Sequence, residues 1–203
     1  MQGKKIGIMG GTFDPIHLGH IAAAENAFRE FKLEEVVFVP CKIPVHKTGL
    51  QIAGVIHRCK MVELAIANCP QFFLSRIEIE RDTPSFAVET LQSFSQMYGQ
   101  ASQLFFITGA DAILEILSWK DSEHLADLCR FIAVTRPGHD LRQLRLNLTP
   151  ELLSIVDILE IPNLSVSSTQ IREYIRVNKS IHCLTHVNVA NYIVENKLYR
   201  EGY

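Results

Sequence analysis

The sequence predicts an α/β protein built on a doubly wound parallel sheet, and three observations point to that fold. Short apolar runs, rich in β-branched and aromatic residues, alternate with longer segments of helical periodicity along the chain. The first run, Lys5 to Met9, is followed by a helical segment and then by a second run, Val36 to Pro40, which makes a β-α-β unit. The chain has 203 residues, of which 47% are hydrophobic and 21% charged, so it can bury a substantial core as one domain, residues 1–203.

The remaining elements follow from the same two periodicities. Strands are predicted at about 5–9, 36–40, 72–79, 104–108, 131–134 and 155–161. Helices are predicted at about 16–31, 55–68, 85–98, 111–117, 122–128, 167–177 and 185–198. At the end of the third strand run and just beyond it, the acidic residues Glu78, Glu80 and Asp82 alternate with Ile77, Ile79 and Arg81, which is typical of a half-exposed strand rather than a metal site. The expected architecture is Rossmann-like, with helices flanking the sheet and a small C-terminal helical part at about 165–203.

Charge and cysteine content exclude several classes of protein. The chain has 20 Lys and Arg against 22 Asp and Glu, a net charge of −2, which argues against a protein that coats nucleic acid. Its five cysteines are odd in number and form no C-x-x-C pair, which is typical of reduced thiols rather than a disulfide framework. The sequence also contains no apolar run of membrane-spanning length. We therefore expect a cytoplasmic protein with no membrane partner, while its oligomeric state is not encoded in these patterns.

The junction between the first strand and the first helix has the parts of a phosphate site. Gly10 and Gly11 are expected to let the backbone turn tightly and approach a ligand closely. The helix that follows presents free N–H groups and the positive end of its dipole. His17 and His20 are three residues apart and share a helix face, and Gly19 leaves that face unobstructed.

Two other interpretations of this junction remain open. The glycines could form a simple turn, with the histidines at an exposed helix start, although their shared strand–turn–helix context favours a binding site. The histidines could instead bind zinc, in which case Cys41 and His46 would be the nearest further ligands. Their spacing matches no familiar zinc pattern.

A second helix start near the C-terminus has similar chemistry. Ser167 and Gln170 fit a capping box, which predicts that a helix begins there and exposes N–H groups. Ser168, Thr169 and Arg172 add hydroxyl and guanidinium donors on its first turn, and arginine can bind phosphate oxygens bidentately. Two such helix starts are what a polyphosphate ligand requires.

These two segments carry a resemblance to a known family. Residues 11–20, Gly-Thr-Phe-Asp-Pro-Ile-His-Leu-Gly-His, resemble the G-x-F-x-P-x-H-x-G-H signature of the nucleotidylyltransferase superfamily. Residues 166–172 resemble the superfamily's I-S-S-T-x-I-R motif, which holds ATP phosphates. Over about residues 5–200 the chain is similar to the bacterial nicotinate-nucleotide adenylyltransferases. The resemblance implies an enzyme that joins ATP and nicotinate mononucleotide, with Mg²⁺ held mainly by the ATP phosphates rather than by protein ligands.

The resemblance also assigns residues to the nucleotide donor. The catalytic residues would be His17, His20 and Arg172. The ATP-binding residues would be Gly10, Gly11, Thr12, Phe13, Gly109, Asp111, Arg136, Ser168 and Thr169.

A further group is assigned to the mononucleotide, namely His46, Lys47, Thr83, Ser85 and Trp119. Two departures from the family pattern fall in this group: Val45 stands in place of a proline, and Phe86 in place of a tyrosine. Trp119 is expected from the resemblance to stack on the pyridine ring, although composition alone favours a place in the core for the single tryptophan.

Alternative functions share part of this pattern. Another adenylyltransferase, acting on nicotinamide mononucleotide or phosphopantetheine, would share the phosphate motifs, although a phosphopantetheine enzyme would lack the Trp119 loop. A non-catalytic nucleotide-sensing module would retain the fold and bind ATP without turnover. A tRNA-binding synthetase is disfavoured, because the chain is short and has no K-M-S-K-S-like loop.

Overall fold

The structure, a computed structural model, describes residues 3–42, 52–82, 84–136, 148–162 and 166–200. The described strands are β1 Lys5–Gly11, β2 Glu35–Pro40, β3 Phe72–Leu74, β4 Gln103–Gly109, β5 Arg130–Thr135 and β6 Val156–Glu160. The described α-helices are α1 Leu18–Glu30, α2 Val55–Ile66, α3 Ala87–Tyr98, α4 Ala110–Leu114, α5 Leu125–Leu128, α6 Pro150–Ser154, α7 Ser168–Arg176 and α8 Val187–Glu195. Two 3-10 turns, Ile116–Ser118 and Ser122–His124, lie between α4 and α5.

The six strands form one sheet in the order β3-β2-β1-β4-β5-β6, and every neighbouring pair is parallel. The predicted Rossmann-like, doubly wound fold is confirmed. The strand order reverses beside β1, which pairs with β2 on one side and with β4 on the other. In such sheets ligands bind outside the carboxyl ends of the strands at this reversal, so the fold directs attention to the ends of β1 and β4.

The core lies on both faces of the sheet because the side chains of each strand alternate between two apolar clusters. On β4, Phe105 and Ile107 belong to the cluster under α1, α2 and the C-terminal helices. Leu104 and Phe106 belong to the opposite cluster, which includes residues of α3, α4 and α6. Both faces are therefore covered, as expected for a parallel sheet.

The C-terminal helices α7 and α8 join the same apolar cluster as α1 and α2. The loop before α8 is tied to the start of α1, since the Leu18 amide donates to the Leu184 carbonyl over 3.0 Å. The Thr185 hydroxyl also donates to the Ile16 carbonyl over 2.8 Å. These bonds fix the C-terminal part against the segment that carries His17. Within the described ranges, no helix combines the length and the apolar character that crossing a membrane requires.

The prediction of strand structure as far as residue 79 was wrong. β3 ends at Leu74, and the amides of Ile79 and Glu80 bond back to the Arg76 carbonyl in a turn. The alternation has another cause: this turn packs against α3, and the Glu78 carboxylate accepts a 2.7 Å hydrogen bond from the Thr90 hydroxyl. Glu78 is 6% exposed and is therefore not the outward-facing strand residue that the pattern suggested.

Candidate active site

Two cavities open at the carboxyl ends of β1 and β4, and Gly10 lines both. The first, called here the histidine cavity, is also lined by His17, Gly19, His20 and Gly109. The second, called here the tryptophan cavity, is also lined by Gly11, Cys41, Ser85, Phe86, Trp119 and Lys120. A ligand that occupied both cavities would cross the end of β1, where the strand order reverses.

The glycines at the end of β1 serve close packing rather than a turn, which corrects the sequence-based interpretation. Gly10 and Gly11 still belong to β1, where they pair with Val39 and Pro40 of β2. A Cβ atom on Gly10 would lie 3.0 Å from the Phe106 ring, and one on Gly11 would lie 3.0 Å from the Phe13 ring. The left-handed backbone conformation falls instead on Phe13, with φ of 50°. Both glycines allow the backbone to lie against aromatic rings that line or support the cavities.

The side chain of Phe13 is buried in the core rather than exposed in a cavity. Its ring is 2% exposed and meets the His20 ring edge-on, with centroids 5.1 Å apart. It also packs against Phe38 of β2 at 5.8 Å. Phe13 therefore packs against His20 and exposes almost none of its own surface for a contact with ATP.

The two histidines form a stacked pair at the start of α1. Their ring centroids lie 3.7 Å apart, with 26° between the ring planes. His17 is the N-cap residue, and its amide donates to His20 Nδ1 over 3.2 Å, so the backbone fixes the orientation of the His20 ring. His17 Nδ1 is buried and has no hydrogen-bond partner among the described residues.

Burial lowers the pKa of His17 to about 4, because desolvation disfavours the imidazolium. His17 is therefore neutral at pH 7, and it can offer a phosphate a hydrogen bond but not a positive charge. Gly19 makes this burial possible, since a Cβ atom at that position would lie 2.9 Å from His17 Nδ1.

The second predicted phosphate motif lies directly against the first loop, although more than 150 residues separate them along the chain. The Ser168 hydroxyl donates to the Pro15 carbonyl over 2.9 Å. Arg172 Nη1 donates to the Asp14 carbonyl over 2.7 Å and lies 3.7 Å from Asp14 Oδ2. Arg172 Nη2 also donates to the Thr169 hydroxyl over 3.2 Å. The structure thus brings His17, His20 and the start of α7 to one edge of the sheet.

Only half of the predicted capping box forms at α7. The Ser167 hydroxyl accepts from the Gln170 amide over 3.2 Å, as expected for an N-cap. The reciprocal bond is missing, because Gln170 Oε1 is buried without a partner. Capping at this helix start therefore depends on Ser167 alone.

Asp14 joins three parts of the site, and sequence reasoning assigned it no role. Its Oδ1 accepts from the Ala53 amide over 3.1 Å and from the Tyr199 hydroxyl over 2.7 Å. Its carboxylate also faces Arg172. The first motif includes Asp14, but its partners come from distant segments that a sequence does not bring together. Asp14 is 3% exposed, and its hydrogen bonds hold these segments together inside the protein.

The tryptophan cavity combines apolar walls with charged groups at its edge. The Trp119 ring packs edge-on against Phe106 and Phe131, with centroids 6.0 and 6.4 Å away. The ring packs against the core cluster and also lines the cavity, so the core placement leaves the predicted stacking role open as a prediction. Lys120 Nζ bonds Glu89 over 2.7 Å and lies 4.6 Å from the Phe86 ring centroid.

Ser85 and Glu78 add polar groups to the same cavity. The Ser85 hydroxyl accepts from the Lys42 amide over 3.1 Å and thus joins the end of β2 to the segment before α3. Burial raises the pKa of Glu78, against the opposing effect of hydrogen bonds from Thr90 and Ser85. The carboxyl group of Glu78 is therefore a second titratable group of the site that sequence patterning missed.

Other predicted residues lie elsewhere. Asp111, on the first turn of α4, and Arg136, just after β5, are exposed and line neither cavity. His46, Lys47 and Thr83 lie outside the described residues. The described ranges contain no group of three His, Cys, Asp or Glu that could hold a metal ion. Cys41, offered as a zinc ligand, has its Sγ 3.8 Å from the Thr12 hydroxyl and lines the tryptophan cavity.

The fold and the two joined helix starts define a nucleotidyl-transferring class of protein, and comparison with known proteins agrees. The family model described as Cytidylyltransferase-like matches residues 8–174, and the chain belongs to that family. The chain is 47% identical to the "Probable nicotinate-nucleotide adenylyltransferase" of Moorella thermoacetica, over 97% of this chain and 92% of that protein. It is 42% identical to the protein of the same name from Thermoanaerobacter sp., over 97% and 95% of the two chains.

A solved structure supports the fold at lower identity. The Plasmodium falciparum nicotinic acid mononucleotide adenylyltransferase complexed with NaAD superposes with a TM-score of 0.77. The two chains are 24% identical, and 97% of each is covered. This likeness bears on the architecture of the sheet and its helices.

Proposed function

We propose that this protein transfers the adenylyl group of ATP to nicotinate mononucleotide, forming nicotinate adenine dinucleotide and pyrophosphate in NAD biosynthesis. The observation that carries the proposal is the contact between the two helix starts, through Ser168 with Pro15 and Arg172 with Asp14. Two convergent helix N-termini beside a stacked histidine pair suit a polyphosphate. The relatives' shared name supports the choice of acceptor.

Catalysis of this reaction requires that the protein position the substrates and neutralise their charge, and it does not require a general base. An oxygen of the mononucleotide phosphate, anionic at neutral pH, attacks the α-phosphorus of ATP. The new P–O bond forms as the bond from the α-phosphorus to the bridging oxygen breaks, and its electron pair leaves with pyrophosphate. Charge builds up on the leaving group, so hydrogen-bond donors and cations aimed there lower the barrier.

On the donor side, the proposal assigns the histidine cavity to ATP. His20 would donate to the phosphates as charge moves toward pyrophosphate, and His17 would act as a neutral donor because its pKa is about 4. Arg172 would supply the positive charge, with Ser168 and Thr169 beside it on the first turn of α7. Gly109, at the end of β4, has no atom within 4 Å of the position that a Cβ atom would take, so a ligand could approach its backbone.

On the acceptor side, the tryptophan cavity would hold the pyridine ring. Trp119 offers an aromatic face, and backbone N–H groups near Ser85 and Phe86 would bind the carboxylate. His46, Lys47 and Thr83 stay in the proposal as predicted contacts of the mononucleotide. Asp111 and Arg136 stay as predicted contacts of ATP, through the ribose and the adenine.

Mg²⁺ would arrive with ATP as part of the nucleotide substrate. Phosphate oxygens and water satisfy most of its octahedral coordination, so few protein ligands are needed. We expect the whole chain to act as one domain in the cytoplasm, without nucleic acid or membrane partners. The five free cysteines are consistent with a reducing compartment.

The test is pyrophosphate release from ATP and Mg²⁺, measured in parallel with nicotinate mononucleotide, nicotinamide mononucleotide and phosphopantetheine. A strong preference for the first acceptor is expected. Equal use of acid and amide would contradict the assigned carboxylate recognition, and turnover with phosphopantetheine alone would remove every mononucleotide assignment. ATP binding without turnover would identify the protein as a nucleotide sensor.

A further inference from the structure

Arg58 is a buried cation that the proposed reaction leaves without a role. It lies on the first turn of α2 and is 2% exposed. On α2 it shares the inward face with Met61, Val62 and Ala65, which are apolar core residues. Arginine is almost never fully buried unless it is paired, so its placement calls for a specific set of partners.

Those partners are main-chain carbonyls from three separate segments. Nε donates to the Ala53 carbonyl over 3.0 Å, just before α2. Nη1 donates to the Thr12 carbonyl over 2.7 Å, in the first loop. Nη2 donates to the carbonyls of Cys41 and Lys42 over 2.8 and 3.3 Å, just beyond β2. No carboxylate of the described residues forms an ion pair with Arg58, so carbonyl dipoles alone balance its charge.

Two of these segments belong to the two halves of the site, and the third, at Ala53, leads into α2 itself. Thr12 follows Gly11 in the loop that leads to His17, on the donor side. Cys41 lines the tryptophan cavity, and the Lys42 amide bonds Ser85, on the acceptor side. The guanidinium therefore bonds both halves at once, and its planar fork fixes the angle between them in a way that a single ammonium cannot.

We infer that Arg58 is a positioning residue, which holds the first loop and the end of β2 in the relative arrangement that in-line transfer requires. Because the acceptor oxygen must lie opposite the leaving pyrophosphate, a small displacement of one half against the other slows the chemical step. Each substrate on its own would still meet an intact half-site. The inference rests on the proposed adenylyl transfer.

The test compares Arg58→Lys and Arg58→Met with Arg130→Lys as the matched control. Arg130 forms a bidentate pair with Asp157 between β5 and β6, away from both cavities. We expect kcat to fall at least tenfold in both Arg58 variants, with the dissociation constant of ATP alone changed less than threefold. In the control, thermal stability should fall while kcat stays within twofold of the wild-type value.

The kinetics of the wild type and of the two variants together distinguish the possibilities. Rates are referred to the concentration of ATP-binding sites, so partial unfolding of a variant lowers that concentration without changing kcat. If the Arg58→Lys variant keeps the wild-type kcat, a positive charge at this position suffices and the positioning role is overturned. The role is also overturned if the Arg58→Met variant loses stability but keeps the wild-type kcat. If the wild-type protein shows no turnover, both the proposed function and the inference fail. If the wild-type protein turns over and the variants have the same kcat, only the inference is refuted.

Discussion

The histidine cavity and the tryptophan cavity meet at Gly10 but are built in different ways. The first is lined by the end of β1, the start of α1 and the ends of β4 and β5. Next to it, contacts such as that of Arg172 with Asp14 hold the start of α7 against the loop before α1. The second is lined by glycine backbone at the end of β1 and by side chains from β4, the residue after β2, the turn after β3, the start of α3 and the loop after α4. The proposed polyphosphate-binding groups of the donor side therefore come from two short motifs, while the lining of the acceptor side comes from many separate elements.

Phosphate handling and recognition of the acceptor therefore place different requirements on the protein. Handling a polyphosphate needs N–H groups and charge in a fixed pattern, which contiguous motifs supply. Recognising a pyridine ring needs an apolar wall, which any adjacent aromatic residues can supply if they pack correctly. Of the two departures from the family pattern, Phe86 lines the tryptophan cavity, and Val45 lies outside the described residues.

The largest effect is expected from His20→Ala on the donor side. We expect kcat to fall about 100-fold or more with little change in KM, since removing a donor that acts on developing charge costs this much. Steady-state kinetics of pyrophosphate release would measure it, with the exposed His124→Ala as control. A large rise in KM at unchanged kcat would show that His20 only binds ATP.

Lowering the pH should destabilise the folded protein through protonation of His17 on the donor side. Its folded pKa of about 4 lies below the ordinary 6.5, so between these values the unfolded chain binds more protons and stability falls as pH is lowered. Across that window the loss amounts to about 3 kcal/mol. Urea unfolding from pH 7.5 to 4 would measure it, and His17→Asn should reduce the slope; an unchanged slope would contradict the assignment.

On the acceptor side, Glu78 is expected to make stability depend on pH in the opposite direction. Burial raises the pKa of Glu78, so the folded chain binds the proton more tightly and this contribution to stability is lost as pH rises above 4.5. Glu78→Gln should therefore remove a slope opposite to that of His17 in the same unfolding series. A variant that steepened the loss of stability at high pH would contradict the sign.

Trp119→Ala is expected to raise the KM for the mononucleotide about tenfold while the KM for ATP stays the same, because aromatic stacking contributes about 1–3 kcal/mol per base. The variant should also lose stability, since Trp119 packs on Phe106 and Phe131. Trp119→Phe would keep an aromatic face and serve as the matched control. A change confined to ATP would show that the stacking assignment is wrong.

Gly19→Ala should have the smallest effect on kcat. It should lower activity without lowering stability. A Cβ atom 2.9 Å from His17 Nδ1 would displace the ring from its stack on His20, so we expect kcat to fall about fivefold. Alanine stabilises helices by up to about 1 kcal/mol relative to glycine, so the melting temperature should be maintained. A fall in melting temperature without loss of kcat would show that the ring position does not matter.

The sequence by itself determined the fold class, the order of the strands and the two helix starts, whereas the short helix α6, Pro150–Ser154, was not predicted. Apolar periodicity predicted each strand of the sheet, because the burial of alternate faces leaves a regular pattern along the chain. The strand run predicted to residue 79 was too long, because a turn packed against α3 produces the same alternation as a half-exposed strand. The two motifs containing His17, His20, Ser168, Thr169 and Arg172 were found from the sequence, whereas the contacts of Ser168 and Arg172 with Pro15 and Asp14 are not encoded in any local pattern.

Only the tertiary structure decided how these groups are held. Asp14 links Arg172 to Tyr199, and Arg58 links Thr12 to Cys41 and Lys42, in each case across long separations in sequence. Arg58 did leave one signal, a charged residue on the apolar face of a helix, but its partners are backbone carbonyls, which carry no sequence signature. Burial likewise made His17 neutral and raised the pKa of Glu78, because desolvation depends on what surrounds a group in space and not on its neighbours along the chain.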